Sequence, residues 1–197
     1  TATQEEQIKR EEVVVVTASK IESTLANAPA TMSVISSETL ASAPSQNFGD
    51  ILRNVPGMNV IQMSARDINI TTRQSTNTLA NSQLTLLDGR SIYLDFFGLV
   101  LWDYVPSNTD DIKQIEVVRG PASAVWGANA LTGVINIITK TPREAAGDAK
   151  GVTTLTLTGG IFDRDAGASA GDDQGTSYGA SASVTRAPND KFSYRIS

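Results

Sequence analysis

The strongest structural signal in this sequence lies in residues 110–140, which read DDIKQIEVVRGPASAVWGANALTGVINIITK. Residues 115–118 are mostly β-branched, so they predict a strand. The Arg-Gly-Pro sequence at 119–121 ends that strand, because glycine and proline interrupt regular structure. Residues 134–139 are again rich in isoleucine and valine, and they predict a second strand after a glycine-containing bend. We therefore expect two core strands joined by a turn region.

The sequence before this stretch predicts short helices mixed with strands. A helix is expected where apolar residues recur at i, i+3, i+4 and i+7, namely at Phe48, Ile51, Leu52 and Val55. Residues 30–35, 58–62 and 68–72 have the composition of strands. Asp88-Gly89 lies between two apolar segments and predicts a tight hairpin turn. Together these elements indicate an α+β domain.

The sequence after residue 150 has a different pattern. Residues 152–158, 176–185 and 192–197 alternate between apolar and polar side chains, which predicts two-faced strands. A long Gly/Asp/Ala loop is expected at 161–175 and a tight turn at 187–190, an asymmetry typical of outer-membrane β-barrels. Three such strands would leave open edges in lipid, so we expect a barrel to continue beyond residue 197. A soluble antiparallel sheet with one wet face is the alternative.

Composition narrows the classes of function. The 197 residues include no cysteine and no histidine, which removes thiolate chemistry, the commonest metal ligands and the usual general base. The formal net charge is −5 and no basic block is present, so nucleic acid is not an expected partner. No apolar run approaches the roughly 20 residues of a membrane-spanning helix. We expect neither an enzyme nor a cofactor.

The N-terminus combines a polar tail with a β-branched run. Residues 1–12 are mostly polar and charged, and we expect them to be mobile. Residues 13–17 read VVVVT, which suits a short strand that pairs with another chain or with a sheet edge. An ordinary first strand of the domain is the alternative.

Several segments resemble TonB-dependent receptors in order and spacing. Residues 110–140 are very similar to the end of the plug domain of that family. The sequences DILRNVPG at 50–57 and LDGR at 87–90 resemble two earlier plug motifs, and Glu11 to Ala18 resembles the TonB box. The resemblance covers residues 11–140, and the alternating strands follow where the family places its barrel.

The resemblance implies a fold class and a division into parts. The fold would be an α+β plug domain with a small mixed β-sheet and short helices, followed by the first antiparallel strands of a truncated transmembrane β-barrel. A flexible N-terminal segment with the TonB box would occupy residues 1–20 and the plug residues 21–141. A linker would occupy residues 142–151 and the first barrel strands residues 152–197.

The resemblance also implies partners and a location. The C-terminal domain of TonB, driven by the ExbB–ExbD inner-membrane motor, would bind Glu12, Val13, Val14, Val15, Val16 and Thr17. The other implied partners are the chain's own barrel, outer-membrane lipid and a small-molecule substrate, which we expect to be a metal chelate such as an iron–siderophore. The protein would lie in the bacterial outer membrane, with its plug and N-terminus on the periplasmic side.

Two sets of plug residues are candidates for contact. Guanidinium groups suit releasable contacts with carboxylates of the barrel wall, and the candidates are Arg53, Arg90 and Arg119. The resemblance implies that outward-facing plug loops, here about residues 62–69 and 93–102, contribute to the substrate site. Aromatic faces and a cation there would suit an anionic, partly aromatic iron chelate, and the candidates for substrate contact are Arg66, Tyr93, Phe96, Phe97 and Trp102. The alternatives are solvent-exposed arginines and aromatic side chains packed in the core.

The sequence supports three possible functions to different extents. An active transporter, whose plug occludes the barrel and rearranges under the pull of TonB, is the leading hypothesis. A stand-alone periplasmic binding or signalling module would end near Thr141, which the later alternating strands argue against. An enzyme has no specific support. The cargo stays open among iron chelates, cobalamin, other metals and oligosaccharides.

Overall fold

The computed structural model describes residues 13–43, 47–62, 68–72, 83–102, 105, 109–165 and 172–197. They form two compact units, which divide between Thr139 and Lys140. None of the helices in these ranges is long and apolar enough to cross a membrane.

The first unit combines short helices with strands. Its helices are α1 (Ser37–Ala41), α2 (Phe48–Arg53) and α3 (Ser123–Trp126). Its strands are β1 (Val14–Val15), β2 (Ser23–Thr24), β3 (Met32–Ser36), β4 (Met58–Gln62), β5 (Ile68–Thr72), β6 (Gln83–Leu87), β7 (Arg90–Ser91), β8 (Ile112–Arg119) and β9 (Gly133–Thr139). The predicted helix and the two strands expected within residues 110–140 are confirmed.

A five-stranded sheet in the order β3-β8-β9-β6-β7 organises this unit. β8 is antiparallel to both β3 and β9, whereas β6 is parallel to β9, so the sheet is mixed as expected. Residues 115–118 of β8 are all buried, because both faces of this central strand are covered. One of those buried residues is Glu116, whose side chain belongs to the candidate site.

The core joins the sheet to helix α2. The side chain of Asn47 accepts a hydrogen bond from Gly49 N and caps the helix. Phe48 and Trp102 pack together with their ring centroids 5.6 Å apart. The largest fully buried side chains of this core are Leu52, Ile70, Ile112, Ile115, Ile135 and Ile137. Helix spacing in the sequence therefore identified the correct apolar face of α2.

The predicted hairpin turn is also present. Asp88 and Gly89 have φ angles of 49° and 76°, and they connect β6 to β7. Positive φ at both central residues is the requirement of a type I′ turn, which Asp-Gly meets at low steric cost. Two further antiparallel pairs, β4–β5 and β1–β2, complete the unit.

The second unit contains helix α4 (Pro142–Ala146) and the strands β10 (Gly151–Asp165), β11 (Asp172–Asn189) and β12 (Phe192–Ile196). The strands form one antiparallel sheet in chain order. Thr141 and Glu144 form a capping box at the start of α4. The segment expected to be a linker, residues 142–151, thus includes a capped helix that packs against β11 and β12.

The expected long loop at 161–175 is wrong in its extent. β10 continues to Asp165 and pairs residue by residue with β11 from Asp172. Backbone hydrogen bonds can extend a ladder through glycine and aspartate when the neighbouring strand is already in register, so composition misplaced the ends of these strands.

One face of this sheet carries exposed apolar side chains. Leu155 and Leu157 lie opposite Ala182 and Ala180, and they are 68% and 74% exposed. The same face also exposes Ile161, Tyr178, Phe192, Tyr194 and Ile196, whereas Val152 is exposed on the opposite face. The arrangement agrees with the expected fold class: an α+β unit with a small mixed sheet and short helices is followed by antiparallel strands.

Candidate functional site

The N-terminal valine run is part of the first unit and lies beside strand β8 of its five-stranded sheet. We call residues Val13 to Thr17 the docked segment. Val13 and Val14 are exposed, whereas Val15 and Thr17 are fully buried. Glu12, which was predicted together with them, lies outside the described residues.

One edge of the docked segment pairs with β2. Val14 lies opposite Thr24 and Val15 opposite Ser23 in an antiparallel register. Leu25 N donates a 2.9 Å hydrogen bond to Val13 O and extends this pairing. The run therefore forms a short strand within the unit.

The other edge is bound by side chains of β8. Gln114 Nε2 donates a 3.0 Å hydrogen bond to Val14 O. The carboxylate of Glu116 accepts hydrogen bonds from Val16 N and Thr17 N at 3.0 and 2.8 Å. Gln114 Nε2 also donates to Glu116 Oε1 at 2.7 Å, which joins the two side chains. Two side chains thus bind the backbone where a neighbouring strand would otherwise do so.

The end of the docked segment has two further anchors. Asn136 Nδ2 of β9 donates a 3.0 Å hydrogen bond to Thr17 Oγ1. Trp126 Nε1 of α3 donates a 2.7 Å hydrogen bond to Thr17 O. The chain then turns, because Lys20 N donates to Val16 O, and Lys20 Nζ lies 4.4 Å from the centroid of the Trp126 ring.

These anchors were missed in the sequence analysis. Glu116 and Asn136 each stand alone among apolar residues of a predicted core strand, and both are buried. A single polar residue in such a strand signals a buried hydrogen-bond partner, because an unpaired polar group is costly there. That signal was available, but it does not say which segment supplies the partner.

The three candidate arginines have different surroundings. Arg53 and Arg90 are exposed. Arg119 Nη1 donates a 2.8 Å hydrogen bond to Pro56 O, and Arg119 Nε is buried with no hydrogen-bond partner within the described residues. The chain therefore brings Arg119 to the turn after α2 and leaves the other two at the surface. Their predicted contacts with a barrel wall stay predictions.

The aromatic candidates for substrate contact divide into two groups. Tyr93 and Trp102 are buried, as the packing alternative expected. Phe96 and Phe97 are 92% and 59% exposed, and their rings meet edge to face with centroids 5.0 Å apart. Arg66 lies outside the described residues. Substrate contact stays a prediction for all of them.

A tight turn presents the exposed aromatic pair. Phe97 N and Gly98 N both donate hydrogen bonds to Leu94 O, and Gly98 has a φ of 67°. Asn129 Nδ2 donates a 2.6 Å hydrogen bond to Asp95 Oδ1 and fixes the turn from outside. These hydrogen bonds fix the backbone of the turn, and the turn presents the two rings to solvent.

The sequence matches one protein family and is similar to outer-membrane transporters and receptors. Residues 24–134 match the protein family described as TonB-dependent Receptor Plug Domain. The chain is 31% identical over 143 residues to the vitamin B12 transporter BtuB of Vibrio vulnificus, covering 72% of this chain and 23% of that protein. It is 32% identical over 123 residues to the catecholate siderophore receptor Fiu of Escherichia coli K12, covering 62% of this chain and 15% of that protein.

The solved structures that resemble this chain are also receptors. The chain is similar to the siderophore receptor PirA of Pseudomonas aeruginosa, with 25% identity, a TM-score of 0.52, and coverage of 85% of this chain and 27% of that chain. A mutant of the ferric enterobactin receptor PfeA of the same organism shares 26% identity with a TM-score of 0.55, covering 93% of this chain and 25% of that chain. The chain thus spans about a quarter or less of the length of these four proteins.

Proposed function

Because this chain belongs to the family of TonB-dependent receptor plug domains, we propose that it is the plug and energy-coupling region of a TonB-dependent outer-membrane transporter. In this role the plug occludes the barrel and contributes to substrate binding. A pull by TonB, driven by the ExbB–ExbD motor, rearranges the plug and admits the substrate. Family membership assigns the protein to the bacterial outer membrane, with the plug on the periplasmic side.

The observation that carries this proposal is the docked segment. Its contacts with β2, Gln114 and Glu116 use backbone atoms of Val13, Val14, Val16 and Thr17. An extended β-branched segment that is bound through its backbone is suited to strand addition, because a partner's sheet edge forms the same kind of hydrogen bonds. We assign TonB binding to Glu12 and the docked segment on that basis.

The second unit supports a transporter over a stand-alone periplasmic module. Its sheet exposes Leu155, Leu157, Tyr178 and Ile196 on one face. A contiguous apolar face of this kind marks a site of contact with lipid or another protein. We assign this face to outer-membrane lipid and these strands to the start of the barrel, with the plug at residues 21–141 and the linker at 142–151.

The remaining assignments are plug residues that contact the barrel wall or the substrate. The buried Nε of Arg119 has an unused donor within the described residues, which suits a carboxylate of the barrel wall. Arg53 and Arg90 are assigned weaker contacts of the same kind. The exposed pair Phe96 and Phe97 suits a partly aromatic ligand. We propose a ferric siderophore or similar metal chelate as the substrate.

The test is binding of the full-length protein to the C-terminal domain of TonB. The double variant Val14→Pro/Val16→Pro removes two backbone donors and should lose binding, because proline cannot donate in a strand ladder. The matched control Val14→Ala/Val16→Ala retains both N–H groups and should bind. Equal binding by the proline variant, or none by the unaltered protein, would contradict the proposed function.

A further inference from the structure

A buried carboxylate holds the docked segment in place. Glu116 is fully buried in the central strand β8, and its two oxygens accept hydrogen bonds from Val16 N, Thr17 N and Gln114 Nε2. All three partners are N–H donors, so both oxygens of the side chain act as acceptors. Most of the acceptor capacity of this side chain is therefore used on the segment itself and on the glutamine beside it.

The two edges of the docked segment are both occupied. In a strand, the backbone groups of successive residues point to opposite edges. The contact between Val13 and Leu25 lies on the β2 edge, whereas the contacts of Val14 and Val16 with Gln114 and Glu116 lie on the other. A partner strand needs one free edge, so it cannot add to the segment in this arrangement.

We propose that Glu116 is a positioning residue that holds the docked segment on the plug and thereby sets the fraction of protein molecules whose segment is available to TonB. This inference rests on the proposed function, which assigns the segment to TonB. Glu116 occupies the N–H of Val16, which a strand added on that edge would need, so docking on the plug and binding to TonB exclude each other. The apparent affinity for TonB is then the intrinsic affinity reduced by the fraction of undocked molecules.

The substitution Glu116→Gln tests this role with little change in volume. An amide in place of the carboxylate presents an NH₂ group where the structure has an acceptor, and it would face either Thr17 N or Gln114 Nε2. The new NH₂ group and the N–H that it faces are both donors, so they cannot form a hydrogen bond. The docked segment is therefore bound less strongly, while the shape of the core stays nearly the same. A role in folding alone would leave TonB affinity unchanged or reduce it, whereas the proposed role increases it.

The first measurement is the Kd of the full-length protein for the C-terminal domain of TonB. Glu116→Gln should lower the Kd about tenfold, which corresponds to the loss of about one hydrogen bond from the docked state. Glu22→Gln is the matched control, because it makes the same substitution at an exposed residue near the segment, and it should leave the Kd unchanged. Gln114→Leu should also lower the Kd, because it removes the hydrogen bond to Val14 O. This variant provides the test if Glu116→Gln does not fold.

The second measurement reports docking without TonB. The 197 residues contain no cysteine, so Val13→Cys provides a single site in this chain for a spin label on an exposed residue of the segment. The mobile fraction of the label should rise in Glu116→Gln and stay at the native level in Glu22→Gln.

The outcomes separate the two proposals. An unchanged Kd and an unchanged label in both Glu116→Gln and Gln114→Leu would overturn the role of Glu116 and leave TonB coupling intact. Absence of TonB binding by the unaltered protein would overturn the proposed function, and the label alone would then show whether Glu116 holds the segment.

Discussion

Trp126 Nε1 donates a 2.7 Å hydrogen bond to the backbone carbonyl of Thr17, 109 positions earlier in the chain. The same indole ring lies 4.4 Å from Lys20 Nζ, measured to the ring centroid. Trp126 lies in the sequence AVWGANA at residues 124–130, within the stretch 110–140 that resembles the end of the plug domain. The side chain of Trp126 therefore holds the end of the docked segment against α3.

Replacing Trp126 by phenylalanine should loosen the docked segment. Trp126→Phe retains an aromatic face for Lys20 but removes the donor to Thr17 O. We expect the free energy of local opening at residues 13–17 to fall by about 1 kcal/mol, the usual net value of one hydrogen bond. Hydrogen–deuterium exchange of these amides measures it. Trp102→Phe is the control, because it disturbs the contact with Phe48 and should leave exchange at residues 13–17 unchanged.

Replacing Thr17 by valine should have a larger effect at the same place. Thr17→Val removes the hydroxyl that accepts from Asn136 Nδ2, and both residues are buried. An unsatisfied buried donor costs about 1–3 kcal/mol, so opening of the segment should become easier by that amount. Thr17→Ser retains the hydroxyl and should preserve most of the protection. Equal exchange rates in the valine and serine variants would contradict the assigned hydrogen bond.

Gly133 should not tolerate a side chain. A Cβ at this position would overlap the carbonyl oxygen of Val118 and Thr72 Oγ1, and the first of these is backbone in the neighbouring strand. Gly133→Ala should therefore lower the free energy of unfolding by about 2–3 kcal/mol through overpacking. Urea denaturation followed by tryptophan fluorescence measures it. Gly159→Ala is the control, because a Cβ there has no neighbour within 4 Å and should change stability little.

The exposed phenylalanines should affect ligand binding without affecting stability. Phe96→Ala/Phe97→Ala should change the melting temperature little, because neither ring belongs to the core. The affinity for the ligand found among a ferric catecholate, a ferric hydroxamate and vitamin B12 should fall about tenfold or more, since rigid aromatic anchors carry much of a binding energy. Leu131→Ala removes another exposed apolar side chain and serves as the control. A double variant with native affinity would remove these residues from the substrate site.

Local sequence rules predicted much of the fold. The spacing of apolar residues identified α2, β-branched composition identified β8 and β9, and Asp88-Gly89 identified the turn between β6 and β7. Each of these features depends on residues that are close in sequence, or on burial that any core strand requires. The ends of β10 and β11 were misplaced because pairing between strands, rather than composition, decides how far a ladder continues.

The candidate site was less predictable. The valine run was recognised as a strand that pairs with another sheet edge, but its position on this plug depends on Glu116, Asn136 and Trp126, which are about 100 or more residues away in sequence. No local pattern encodes such contacts. The exposure of Phe96 and Phe97 and the burial of Trp102 likewise depend on the tertiary packing of one apolar segment.

The most direct test of backbone coupling uses a synthetic peptide of residues 9–20 in competition with the full-length protein for the C-terminal domain of TonB. A second peptide carries N-methyl groups at Val15 and Val16, which removes one N–H from each edge of the strand and keeps every side chain. If TonB binds the backbone of this segment, the unmodified peptide displaces the protein and the N-methylated peptide does not. Equal competition by both peptides, or by neither, would contradict backbone coupling.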